Sequence, residues 1–174
     1  MAMIDALLAE LEQESLTTRR VLERVPQAHL SWKTHPKSMS LGQLALHVAT
    51  VPGNVAELAA MDTVPEPPSF VQQEATTTAE LVPALTASVS KARKHLGGLD
   101  DAAMGATWQL MSGGHEVMAM PRVAFARAIM LNHWYHHRGQ LLVYLRLLDV
   151  PVPSVYGPTA DENPFAAMPA SATA

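Results

Sequence analysis

The sequence predicts an all-α protein, an antiparallel four-helix bundle with long crossover connections. Three observations carry this. Four stretches, beginning at Met3, Ser40, Thr77 and Arg122, repeat apolar residues at three- and four-residue spacing. Two connections, 62–76 and 99–121, are long enough to run along a bundle instead of turning tightly. No segment gives a strong strand signal; Ser112-Gly113-Gly114-His115 marks a loose β-hairpin or an ordered loop.

The first helix runs from Met3 to Arg24, with Ile4, Leu7, Leu8, Leu11, Leu22 and Val25 on one side, and Pro26 closes it. Residues 27–39 then cross an end of the bundle. Ser40-Leu41-Gly42-Gln43 reads as a capping box opening the second helix, whose inner face carries Leu44, His47, Val48, Val51, Val55 and Leu58. Pro52 inside that pattern predicts a kink or a local break. Pro65, Pro67 and Pro68 mark the first crossover. Thr77-Thr78-Ala79-Glu80 caps the third helix, with Leu81, Leu85, Val89, Ala92 and Leu96 on one stripe and Gly97-Gly98 after it. The fourth helix runs from Arg122 to about Asp149. Pro151, Pro153 and Pro158 then force an extended tail.

Composition narrows the possible chemistry. With 48% apolar residues and a net charge of −4 over 174 residues, neither disorder nor a basic nucleic-acid-binding face is expected. The chain has no cysteine, so disulfides and thiolate metal sites are excluded, and any metal must use histidine and carboxylate. No apolar run approaches the ~18 residues of a membrane span, and Asp5 and Glu10 interrupt the place of a signal-peptide core. The expectation is a cytoplasmic protein with one domain over 1–163 and a flexible tail over 164–174.

Three of the eight histidines fall within Asn132-His133-Trp134-Tyr135-His136-His137. At ~100° per residue His133 and His137 lie ~40° apart on one helix face. Ala126, Ile129, Met130, Gln140, Leu141, Tyr144 and Leu147 fall on or near that face, which is therefore expected to point into the core. Two neutral imidazoles there need either a metal or a dense hydrogen-bond network. Trp134 stands where a zinc protease would carry its general-base glutamate, so peptidase chemistry has no support. His47 completes a set of three histidines on buried helix faces. His29, His35, His95 and His115 lie outside the pattern, and surface positions are expected for them. His136, ~100° from His137, is expected off the metal, at a pocket rim or a helix interface. Asn54 and Gln140 follow His47 and His133 by seven residues, and each is a partner for the site, a ligand contact or a satisfied core amide. Tyr144 is expected in the core with its hydroxyl hydrogen-bonded.

The stretch from Asn132 to Arg146, with His47 upstream in Leu41-Gly42-Gln43-Leu44-Ala45-Leu46-His47, resembles the DinB-like (DinB/YfiT) family. Trp32-Lys33-Thr34-His35-Pro36 and the tail from Val150 to Pro158, followed by Asp161-Glu162, are similar to that family too. The resemblance covers roughly residues 1–163. It implies a metal-binding four-helix bundle, commonly dimeric, that holds a divalent ion through His47, His133 and His137. It also implies a thiol-dependent transferase or isomerase activity in some members.

Three neutral imidazoles on a divalent ion, nickel or zinc, leave a position open for water or substrate. The function expected is thus a metal-dependent enzyme, a thiol S-transferase or a hydrolase acting on a small molecule with or without a thiol cosubstrate. The alternative is a metal-binding or stress-related module without turnover. A homodimer is also expected, because Leu142, Val143 and Leu145 beside Leu141 and Tyr144 exceed what one bundle face needs.

Overall fold

The computed structural model describes residues 2–69 and 71–166; the end of the expected tail, 167–174, lies outside them. Helix α1 (Met3–Leu22) buries Ile4, Leu7, Leu11, Thr18, Val21 and Leu22. Helix α2 (Leu41–Ala59) opens on the expected capping box, Gln43 N–H donating to Ser40 Oγ at 3.1 Å and Ser40 N–H to Gln43 Oε1 at 2.9 Å. It buries Leu44, Ala45, Val48, Ala49, Val51, Ala56 and Ala59. Thr77 and Glu80 cap a short 3₁₀ turn (Thr78–Glu80) that leads into helix α3 (Leu81–Leu96). α2 lies against α3, and α1 packs on α3.

A small three-stranded sheet departs from an all-α reading. Strand β1 (Thr63–Val64) sits in the first crossover and pairs in parallel with β2 (Thr107–Ser112), which pairs antiparallel with β3 (His115–Pro121). Of the two alternatives for residues 99–121, the hairpin is the one that forms. Gly113 and Gly114 both adopt positive φ (57° and 80°), the backbone that a two-residue hairpin turn demands. Trp108 faces Met120 and Leu110 faces Met118, so alternate residues supply an apolar side to the sheet. A short helix α4 (Asp101–Gly105), capped by Asp100, precedes the hairpin.

The last helical stretch begins with α5 (Arg122–Phe125), passes through a π-helical segment (Ala126–Asn132) and continues as α6 (His133–Leu147). Its end is a Schellman motif built on an aspartate. Asp149 takes φ 57°, Val150 N–H donates to Leu145 O at 3.0 Å, and Asp149 N–H donates to Arg146 O at 3.1 Å. The proline-containing tail is tied down by Arg146–Asp161 and Arg20–Glu162 ion pairs. No helix among the described residues is long and apolar enough to cross a membrane.

Candidate metal site

His47 on α2 and His133 and His137 on α6 converge. One ring nitrogen from each lies within 4.8 Å of the other two. His47 Nε2 and His133 Nε2 are 3.2 Å apart, and the ring of His137 packs edge-on to both, with centroids at 4.5 and 4.4 Å. Two nitrogens at ~2.05 Å from one tetrahedral ion would lie about 3.3 Å apart, so this pair already has ligand spacing. His137 Nδ1–H donates to Gln140 Oε1 at 2.8 Å, which leaves its Nε2 lone pair free to bind. Of the roles open to Gln140, the structure supports that of partner to His137 and not to His133.

The set is half-buried, not core-facing as the periodicity predicts. The buried face of α6 carries Trp134, Arg138, Leu141, Tyr144 and Leu145, while Gln140 and Leu147 are exposed. The π-helical segment accounts for the difference. Its residues turn the helix by less than α-helical residues do, so a 3.6-residue period extended from Ala126 through α6 loses phase. Burial nevertheless acts on the rings. It lowers the pKa of His47 from 6.5 to about 4, reinforced by His137 and then His133. His133 and His137 are likewise lowered, by burial first. Three imidazoles kept neutral at pH 7 are the protonation state that coordination requires.

The spacing between the helices depends on a proline. Pro52 lies inside α2 without interrupting it, but it has no N–H to offer Val48 O, four residues back. That carbonyl instead accepts the indole N–H of Trp134 at 2.8 Å. Val48 adjoins His47 and Trp134 adjoins His133, so this bond fixes the two helices beside the site. Ser88 of α3 serves the next turn: Gly53 N–H donates to its Oγ at 2.8 Å, and that hydroxyl donates to Thr50 O at 3.0 Å. A Cβ at Gly53 would meet Ser88 O at 2.7 Å, so only glycine allows α3 this close.

A cavity of about 450 Å³ opens from His47 and His133 along α2, between that helix, Ile129 and, from the first crossover, Pro68, Ser69, Val71, Gln72 and Gln73. Asn54 lines it and accepts from Lys91 Nζ at 3.4 Å instead of touching a histidine. His136 is exposed beside His137, with ring centroids 5.1 Å apart, and stays outside the converging set. His29, His35 and His115 are exposed as expected; His95 is half-buried instead. Tyr144 is buried, its hydroxyl donating to Met39 O at 3.1 Å.

Two buried arginines have no signal in the periodicity. Arg138, 1% exposed, pairs with Glu14 at 2.6 Å and donates to Thr18 Oγ1 and Tyr156 OH, joining α6 to α1 and the tail. Arg122, 2% exposed, donates to Ala59 O at 2.8 Å and pairs with Asp62, closing the C-terminal end of α2.

Comparison with known proteins agrees with this architecture. The fold is similar to a DinB-like protein from Bacillus cereus (21% identity, TM-score 0.69, covering 87% of this chain and 97% of that one). It is also similar to a DinB-like protein from Bacillus subtilis (17% identity, TM-score 0.65, the same coverage). At these identities the likeness is one of fold alone. No curated protein matches the sequence. The model of the DinB family matches residues 3–164, nearly the whole chain, and the protein therefore belongs to the DinB family.

Proposed function

We propose that this protein binds one divalent ion, nickel or zinc, through His47, His133 and His137, and uses it as an enzyme. In this reading the long helices form an antiparallel four-helix bundle, a single domain over residues 1–163 that works as a homodimer. The observation that supports it most is the convergence of three imidazoles, two of which, His47 and His133, line a cavity. When bound, an ion with three such ligands keeps a position for water or a thiol and lowers the pKa of the group it accepts. Around it, Gln140 orients His137, Trp134 fixes the two helices, and the cavity admits a small molecule. The reactions that fit are thiol S-transfer and hydrolysis.

A second reading is a metal-holding module without turnover. It is favoured by the cavity lining, where the carboxylate among the described residues, Glu57, is already paired with Lys91 at 2.7 Å and so is poorly placed as a base. Metal analysis of purified protein and of His133→Ala comes first, followed by a screen of low-molecular-weight thiols with electrophiles. About one ion per chain in the wild type and loss of it in the variant are expected. Unchanged metal content in His133→Ala refutes the site. Turnover that needs both metal and thiol separates the enzyme from the passive module.

A further inference from the structure

The cavity beside the histidines has a directional lining. Along α2 it is floored by two adjoining rows, one polar (His47, Thr50, Asn54, Glu57) and one apolar (Val51, Val55, Leu58). At ~100° per residue the rows lie side by side for three turns. From His47 to Asn54 is about 10 Å along the helix and to Leu58 about 16 Å, at 1.5 Å per residue. Val71 of the crossover and Ile129 of the π-helical segment complete the apolar side. The charge of Glu57 is matched by Lys91, so beyond the histidines the described lining offers an anion no free cation. Asn54 Oδ1 faces Lys91, leaving its amide N–H groups as donors, and Thr50 Oγ1 donates to Leu46 O at 2.8 Å, leaving an acceptor lone pair.

We propose that this cavity binds a medium-chain amphiphile: a metal-binding head group at the histidines and an uncharged, largely apolar body lying along α2 toward Leu58. The inference rests on the metal reading for its head group and on the lining alone for its body. Extended-chain bonds advance about 1.2 Å each, so a body of roughly eight bonds reaches Asn54. An acceptor at that distance would meet the Asn54 amide. Short, strongly polar or multiply charged molecules would use the ion but leave the apolar row empty.

A homologous series tests the length. Linear alkyl hydroxamic acids from acetyl to decanoyl are titrated calorimetrically into protein loaded with zinc or nickel. Affinity should rise about twofold to fourfold per methylene and keep rising to decanoyl, because about eight bonds reach only Asn54 and the apolar row continues to Leu58. Val71→Asp, on an exposed position, and Val55→Thr, nearly isosteric, should each reduce that gain while leaving acetohydroxamic acid unaffected. A parallel arm titrates ethanol, 1-hexanol and 1-octanol into metal-free protein, followed by amide NMR shifts at Val51, Val55 and Leu58. If acetohydroxamic acid binds and lengthening adds less than 1.5-fold per carbon, the amphiphile is refuted while the ion site stands. Failure of every hydroxamate with a chain-length response to the alkanols removes the head group but keeps the body. A flat response in both arms overturns the proposal, as does a chain-length gain indifferent to both variants.

Discussion

Gln140 shows what a single residue contributes to the site. Its carbonyl accepts His137 Nδ1–H, selecting the tautomer whose Nε2 is free. Gln140→Ala should weaken zinc or nickel binding about 10- to 100-fold. Being exposed, it should leave metal-free stability within about 0.5 kcal/mol of wild type. Gln140→Glu retains an acceptor and should recover most of the affinity. Competition against a chromogenic chelator reads both, and equal affinities for wild type and Gln140→Ala would remove the assigned role. At this scale the three histidines were legible because histidines on periodic helix faces are conspicuous. Gln140 was legible only as a candidate, since i+3 and i+7 relations cannot be ranked without side-chain geometry. Arg138 was not legible: its burial depends on Glu14 and Tyr156, 124 and 18 residues away, which no local pattern brings together.

Helix α2 behaves as an element whose irregularity is used. Pro52 does not break it, because the Val48 carbonyl that it leaves without a donor is taken by Trp134. Trp134→Phe leaves that buried carbonyl unpaired and should destabilise the fold by about 1–3 kcal/mol. Pro52→Ala supplies the missing N–H. In that background Trp134→Phe should cost less, with a coupling of about 1 kcal/mol in a double-mutant cycle of urea melts. Additive costs would show that the indole acts through packing alone. Capping boxes and apolar stripes made the long helices legible, and paired glycines marked the hairpin. The π-helical segment was not, since its composition is ordinary and its effect, a slip of phase before His133, appears only in which side of α6 is buried. The parallel pairing of β1 was invisible for another reason. Two residues carry no periodicity, and their register with Gln109 and Leu110 is set by the fold around them.

For the whole molecule, the site ties α2 to α6, so its protonation should register in global stability. His47 has a folded pKa of about 4 against 6.5 when unfolded, through burial and the neighbouring His137 and His133. Above pH 6.5 the ring is neutral in both states and costs nothing. As pH falls from 6.5 towards 4 the unfolded chain takes up a proton that the folded chain resists, so stability is lost across that window. The lowered pKa values of His133 and His137, burial being the first cause in each, act with the same sign. A bound ion steepens the effect, because it stabilises only the folded, deprotonated set and leaves as protons compete for the nitrogens. Thermal melts of metal-loaded, chelated and His47→Gln protein from pH 7.5 to 4.5 separate these contributions. The loaded protein should melt highest at pH 7.5 and converge on the chelated protein by about pH 5. The chelated wild type should still lose more on acidification than His47→Gln, which has one fewer resisted proton. The apolar core, from Leu11 and Leu22 to Leu81 and Leu96, should keep all three folded at neutral pH. Parallel curves for loaded and chelated protein would mean that the ion does not couple these histidines to folding, and equal slopes for chelated wild type and His47→Gln would mean that the buried ring does not either.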